Sequence, residues 1–211
     1  MGAHSLTGLA IRVFVTLFVI VDPIGLTPIF MALAGDRDPE QQRHLARRTV
    51  LVAGGVMLTF ALVGGPLLHH FGISLDAFRI AGGILLFRIA AAMVFATLQR
   101  ETAEEKAEAM TRRDISVFPM AIPMMAGPGA LASVMILAGE AEPVRFGVLI
   151  VLTGIAAIAA LSYLAFRAAG PLGRVLGQTG VNVITRVLGV VLAALAVQYV
   201  ADGVRGLLPR L

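Results

Sequence analysis

Two short stretches interrupt otherwise apolar runs with residues able to hold a charged ligand: DPIGLTP at 22–28 and IPMMAGPG at 122–129. Proline lacks an amide hydrogen and glycine holds a helix poorly, so each stretch frees backbone groups in the middle of its run. Proline suits the first position of a helix, so Asp22-Pro23 and Gly127-Pro128 each read as a cap followed by a new half-helix, with Thr27-Pro28 a second candidate start. One helix start then carries its own carboxylate. The other presents bare N–H groups around Gly129 and Ala130 and the positive end of a helix dipole. A zwitterion fits that asymmetry, with its carboxylate at Gly127 to Ala130 and its ammonium near Asp22 and unwound carbonyls. Glycine walls leave room only for a small side chain. The candidate substrate-binding set is therefore Asp22, Pro23, Gly25, Thr27, Pro28, Gly127, Pro128, Gly129 and Ala130. The plainer alternatives are a structural N-cap at Asp22 and a pair of proline kinks.

Asp22 is the one acidic residue deep in an apolar run and Arg88 the one basic residue so placed. A charge at the centre of a membrane helix costs about 2.5–3.5 kcal/mol on insertion scales, so lipid exposure of both is unfavourable. An Asp22–Arg88 ion pair with a part in coupling is one resolution; snorkelling of Arg88, or its bonding to carbonyls, is the other. Arg79 and Arg186 lie near the ends of their runs, where snorkelling is the default expectation. Enzyme chemistry finds no support: there is no H-E-x-x-H, no G-x-S-x-G and no second deep aspartate. His69-His70 lacks a convergent third ligand in sequence, so no metal and no cofactor are expected.

The elements that must position these groups follow from composition. Of 211 residues, 58% are hydrophobic and only 14% charged, with a mean hydropathy of +0.89, too little polar cover for a water-facing surface. Apolar runs at about 8–34, 46–71, 74–98, 115–138, 144–168 and 181–207 are each long enough to cross a bilayer as a helix. The fold class is thus an all-α integral membrane protein of six transmembrane helices, the first and fourth broken near mid-membrane. A Gly-rich link is expected near 169–180. The +4 net charge does not indicate nucleic acid, because the cations lie between the runs, with two Tyr and no Trp to stack on bases. With zero cysteines, disulfides and thiolate sites are excluded. The first run is not read as a cleavable signal, since Asp22, Pro23, Gly25 and Pro28 interrupt it.

An internal repeat organises the runs. Pro128 follows Pro23 by 105 residues, Gly170-Pro171-Leu172 follows Gly65-Pro66-Leu67 by the same offset, and Arg186-Val187-Leu188-Gly189 follows Arg79-Ile80-Ala81-Gly82 at 107. Three runs per repeat make the second copy enter the membrane from the opposite side, giving two inverted three-helix repeats. The chain is read as one membrane domain, 1–211, with repeat one at about 8–98, a cytoplasmic linker at 99–114 and repeat two at about 115–207. Connections one–two, three–four and five–six carry eleven Lys or Arg, against five on the other face. By the positive-inside rule both termini are expected outside, in the periplasm.

The stretches DPIGLTPIF, AFRIAGGILLF, AIPMMAGPGA and RVLGVVLAALAVQYVADGVR together resemble the MarC family of six-span bacterial inner-membrane proteins, also grouped as neutral amino acid transporters. Asp22, Pro23, Gly25, Pro28, Gly127, Pro128 and Gly129 match the family's two broken-helix motifs. The resemblance implies a secondary transporter of small neutral amino acids such as glycine or alanine, proton-coupled, in the bacterial inner membrane. The alternatives are a non-transporting scaffold or regulator, or an exporter of another small metabolite. Two departures bear on substrate: Leu26 stands where the family often has Asn, and Arg88 where an apolar residue is usual. Oligomeric state is not readable at this level.

Overall fold

A computed structural model describes residues 6–34, 37–95 and 115–208; the expected linker at 99–114 lies outside the described residues. The elements are α1 (Leu6–Val21), α2 (Leu26–Ala34), α3 (Pro39–His70), α4 (Leu75–Val94), an irregular segment α5 (Ser116–Met125), α6 (Pro128–Ala141), α7 (Gly147–Arg167) and α8 (Ala169–Leu207). Among the described residues the chain is helical throughout, and α3, α4, α7 and α8 are each long and apolar enough to cross a membrane. The pairs α1/α2 and α5/α6 are bent by 45° and 57° at short breaks. A re-entrant hairpin reverses its direction, whereas bends of this size keep both halves advancing across the bilayer, so each pair is one broken span and the protein is a six-span bundle.

Local chemistry accounts for the boundaries. Asp38 caps α3 by accepting from Glu40 N and Gln41 N, with Pro39 in the first turn, so the helix begins seven residues before the apolar run and carries PEQQRHL as a polar extension. In α5, Phe118 and Ile122 have extended backbone at φ/ψ of −127°/125° and −130°/123°. Each precedes a proline, Pro119 or Pro123, and proline excludes helical geometry from the residue before it. Both X-Pro bonds are cis. The disruption of the fourth span therefore starts at Phe118, earlier than the expected 122–129. The Gly-rich stretch 169–180 is helical rather than a loose link; its one break is Gly177, whose φ of 60° is a left-handed conformation open to glycine.

The order bent pair, helix, helix occurs twice, and the third spans of the two halves pack against one another. Asp76 meets Gly203, Gly83 meets Ala196 and Val200, and Ala90 and Met93 meet Gly189, so α4 and α8 run antiparallel. At Gly83 an added Cβ would stand 2.7 Å from the Ala196 carbonyl oxygen, which shows how closely the backbones approach. Antiparallel packing of equivalent helices is what a pseudo-twofold axis in the membrane plane produces.

One face of the bundle gathers the start of α1, the start of α4, and the ends of α6 and α8: Arg12 and Arg79 both reach Glu140, and Gly203 and Gly206 close on Asp76. At the opposite face Phe30 of α2 stacks on Phe166 of α7 at 4.8 Å, and the Thr49 hydroxyl donates to the Ser116 carbonyl at 3.2 Å. The start of α1 and the end of α8 therefore both lie toward the first face, as an even number of spans requires. Arg79 is not a snorkelling residue, contrary to expectation: its guanidinium is held by Asp76 at 2.7 Å and Glu140 at 3.2 Å inside the helix packing.

Candidate functional site

The two breaks, about a hundred residues apart in sequence, meet at one cavity of about 340 Å³. That is near the lower end for small-molecule sites. Its walls come from the end of α1, the start of α2, the second half of α4, the α5–α6 break and Thr185 of α8.

Asp22 follows the last residue of α1 and is 8% exposed. Its φ of 45° turns the chain, and its carboxylate accepts from Gly25 N at 3.0 Å and from the Thr185 hydroxyl at 3.0 Å. The Asp22 carbonyl also accepts from Leu26 N at 3.0 Å. These bonds cap a first turn over Pro23–Leu26, with regular helix from Leu26 rather than from Pro23. Gly25 is required there because a Cβ would fall on the Asp22 carboxylate and 2.7 Å from Thr185 Oγ1. Across the cavity, Gly127 caps α6 with extended backbone and no side-chain bond, and Pro128 occupies the first turn. The first intrahelical bond runs from Leu131 N to Gly127 O, so the N–H groups of Gly129 and Ala130 lie before the helix ladder, in residues that line the cavity.

Of the residues selected from sequence, Asp22, Gly25, Gly127, Pro128, Gly129, Ala130 and Arg88 line this cavity. Pro23 is buried in the turn behind Asp22 and Pro28 is half-buried in the first turn of α2. Thr27 faces away: its hydroxyl donates to the Ile24 carbonyl at 2.7 Å. Arg88 is exposed on α4 at the cavity wall, so it and Asp22 share one space. Leu26, the departure noted above, is a buried part of the wall.

Thr185 was not anticipated. In sequence it is an isolated threonine beside Arg186 in an apolar helix, and only the antiparallel packing of α8 brings it to Asp22. Pro123, Met124 and Met125 supply a further wall from the irregular segment. Met is unbranched and polarisable, so it fits ligands of variable outline. The arrangement offers a carboxylate with one hydroxyl partner, a helix N-terminus whose Gly129 and Ala130 amides have no backbone partner among the described residues, and a guanidinium. No cluster of potential metal ligands occurs among the described residues.

Comparison with known proteins places the chain. The MarC family, described as integral membrane proteins, matches residues 8–208. The Escherichia coli membrane protein YhcE of the group UPF0056 is 37% identical over 205 residues, covering 95% of this chain and 94% of its own. The Bacillus subtilis protein YvbG of the same group is 36% identical over 203 residues, covering 94% and 95%. A UPF0056 membrane protein of Aquifex aeolicus is 36% identical over 203 residues, covering 95% and 94%. No solved structure matches. The chain belongs to the MarC family of multi-pass integral membrane proteins.

Proposed function

We propose that this MarC-family protein is a secondary transporter of small neutral amino acids, working by alternating access of its two halves and coupled to protons. The observation that carries the reading is the convergence of both broken spans on one cavity, with the Asp22 carboxylate on one side and the unladdered N–H groups of Gly129 and Ala130 on the other. An ammonium pairs with a carboxylate, and a carboxylate is held by a helix N-terminus without needing a cationic side chain. Asp22, as the carboxylate in contact with the cavity, is the residue assigned to proton coupling. Leu26, Ile29 and Ile89 give the remaining wall an apolar lining suited to a short aliphatic side chain.

The protein is assigned to the bacterial inner membrane with the termini in the periplasm. Arg37, Arg43, Arg47, Arg48, Arg167 and Arg174 support that orientation, since they gather on the face opposite the chain ends, where the positive-inside rule puts the cytoplasm. Proteoliposomes test the function. Labelled glycine or alanine should accumulate above empty vesicles, and more so with an imposed pH gradient. Uptake no greater than in empty vesicles, for both substrates and in both gradient directions, would leave a scaffold or an exporter of another metabolite as the better account.

A further inference from the structure

A buried apolar cluster packs between the cavity and the face where α1 starts and α8 ends, and we propose that it closes the cavity there and that an ion-pair latch centred on Glu140 holds the closure. Three helices show the same order of residues from the cavity outward, and a fourth adds to the middle layer. In α1 the order is Asp22, Val19, Arg12, and in α4 it is Arg88, Leu86, Arg79. In α6 it is Gly129, Ile136, Glu140, while in α8 Thr185 is followed by Leu192 and Tyr199, both in the apolar layer. The middle member of each set belongs to one apolar cluster and is at most 2% exposed. A plug of that kind carries no path for a polar solute.

Beyond the plug lies the latch. Glu140 receives Arg12 of α1 at 3.0 Å and Arg79 of α4 at 3.2 Å, so one carboxylate from the second half ties together two helices of the first. Asp76 fixes Arg79 at 2.7 Å, and α8 seats against Asp76 through Gly203 and Gly206, where a Cβ would strike the Asp76 backbone oxygen or its carboxylate. The side chains of Arg79 and Glu140 are 19% and 12% exposed, which screens the pair less than a surface ion pair. At 1.5 Å per helical residue the latch stands roughly 14–17 Å from Asp22, Arg88 and Gly129, about half the hydrocarbon thickness. It therefore sits at the membrane boundary when the cavity is at the middle. The inference rests on the transport reading for its purpose, since only a carrier needs this face to open, but the closure itself is independent of substrate.

The chain has no native cysteine, so access can be read directly. Ala92→Cys places a thiol on the cavity wall, and Phe71→Cys, on a separate copy, marks the chain-end face. An impermeant thiol reagent is applied to oriented vesicles from that face. Glu140→Gln, made with Ala92→Cys, should raise the labelling rate about tenfold over Ala92→Cys alone, through loss of charge-assisted bonds. Glu142→Gln, on the same helix end but lining a different crevice, should leave the rate unchanged. An unchanged rate with Glu140→Gln, or an equal rise with Glu142→Gln, overturns the latch. Where Glu140→Gln does not reach the membrane, Arg12→Gln breaks the same contact from α1, and the same rise or its absence decides. Labelling requires no transport: faster labelling in a protein that moves no amino acid contradicts the transporter reading and keeps the latch, whereas unchanged labelling with intact uptake does the reverse.

Discussion

Replacing Gly25 by alanine adds one methyl group at the centre of the proposed site. The new Cβ would overlap the Asp22 carboxylate and lie 2.7 Å from Thr185 Oγ1, so the 3.0 Å bond between those two groups cannot persist. The backbone at Gly25 is not in the left-handed region, and the effect is therefore one of contact rather than conformation. A hydrogen bond to a charged group contributes about 1.5–3 kcal/mol. Because the bond positions the carboxylate rather than touching substrate, its loss should weaken binding of glycine or alanine by up to about 150-fold. Thr185→Val removes the same bond without the overlap and should weaken binding within the same range. The double variant should then fall short of the sum of the two, because both act on one interaction. Gly55→Ala is the control, since nothing lies within 4 Å of its added Cβ. Equilibrium binding of labelled substrate to the purified protein gives all four values. Parent-like binding by Gly25→Ala, or full additivity with Thr185→Val, would refute the claim that the Thr185–Asp22 contact shapes the site.

Three further outcomes follow from the packing. If Asp22 and Arg88 act as a pair across the cavity, Asp22→Asn should lower the melting temperature and Arg88→Leu should partly restore it; independent, additive shifts would remove the pairing. Gly203→Val pushes α8 away from the Asp76 carbonyl, which an added Cβ would approach to 2.6 Å, and should destabilise the protein by about 1–3 kcal/mol in denaturant melts, whereas Gly170→Ala, with open space around it, should change stability little. Cysteines at Phe71, Glu142 and Arg205 should label from the outside of intact cells while one at Asp38 stays protected; the opposite pattern would reverse the orientation.

Much of this architecture was legible in the residues because membrane helices advertise themselves by length and hydropathy, and because Pro and Gly leave few options where they interrupt one. The cap at Gly127 and the first turn of α6 at Pro128 follow the sequence expectation closely. The turn at Asp22 follows it in hydrogen bonding but not in where regular helix begins, since Thr27 N bonds to the Ile24 carbonyl at 3.1 Å and so departs from the helical ladder. What sequence spacing could not disclose was contact between distant helices. Thr185 reaches Asp22 across 163 positions and Arg12 reaches Glu140 across 128. Arg79 looked like a residue near a span end, and its partner from the second half, Glu140, looked like part of a loop. In both cases the side chain's meaning depends on which helices are neighbours, and that is set by glycines such as Gly203 whose role appears only when the partner backbone is present.

The central claim is that one cavity binds both charged ends of a small amino acid, and protection from chemical labelling tests it without any assumption about transport. Ala130→Cys puts a thiol beside the α6 N-terminus, at the place assigned to the substrate carboxylate. Glycine and alanine should slow its reaction with a small thiol reagent in a saturable way, while ethylamine, which lacks the carboxylate, and glycolate, which lacks the ammonium, should protect far less. Absence of protection by either amino acid, or equal protection by the two half-molecules, would contradict the account.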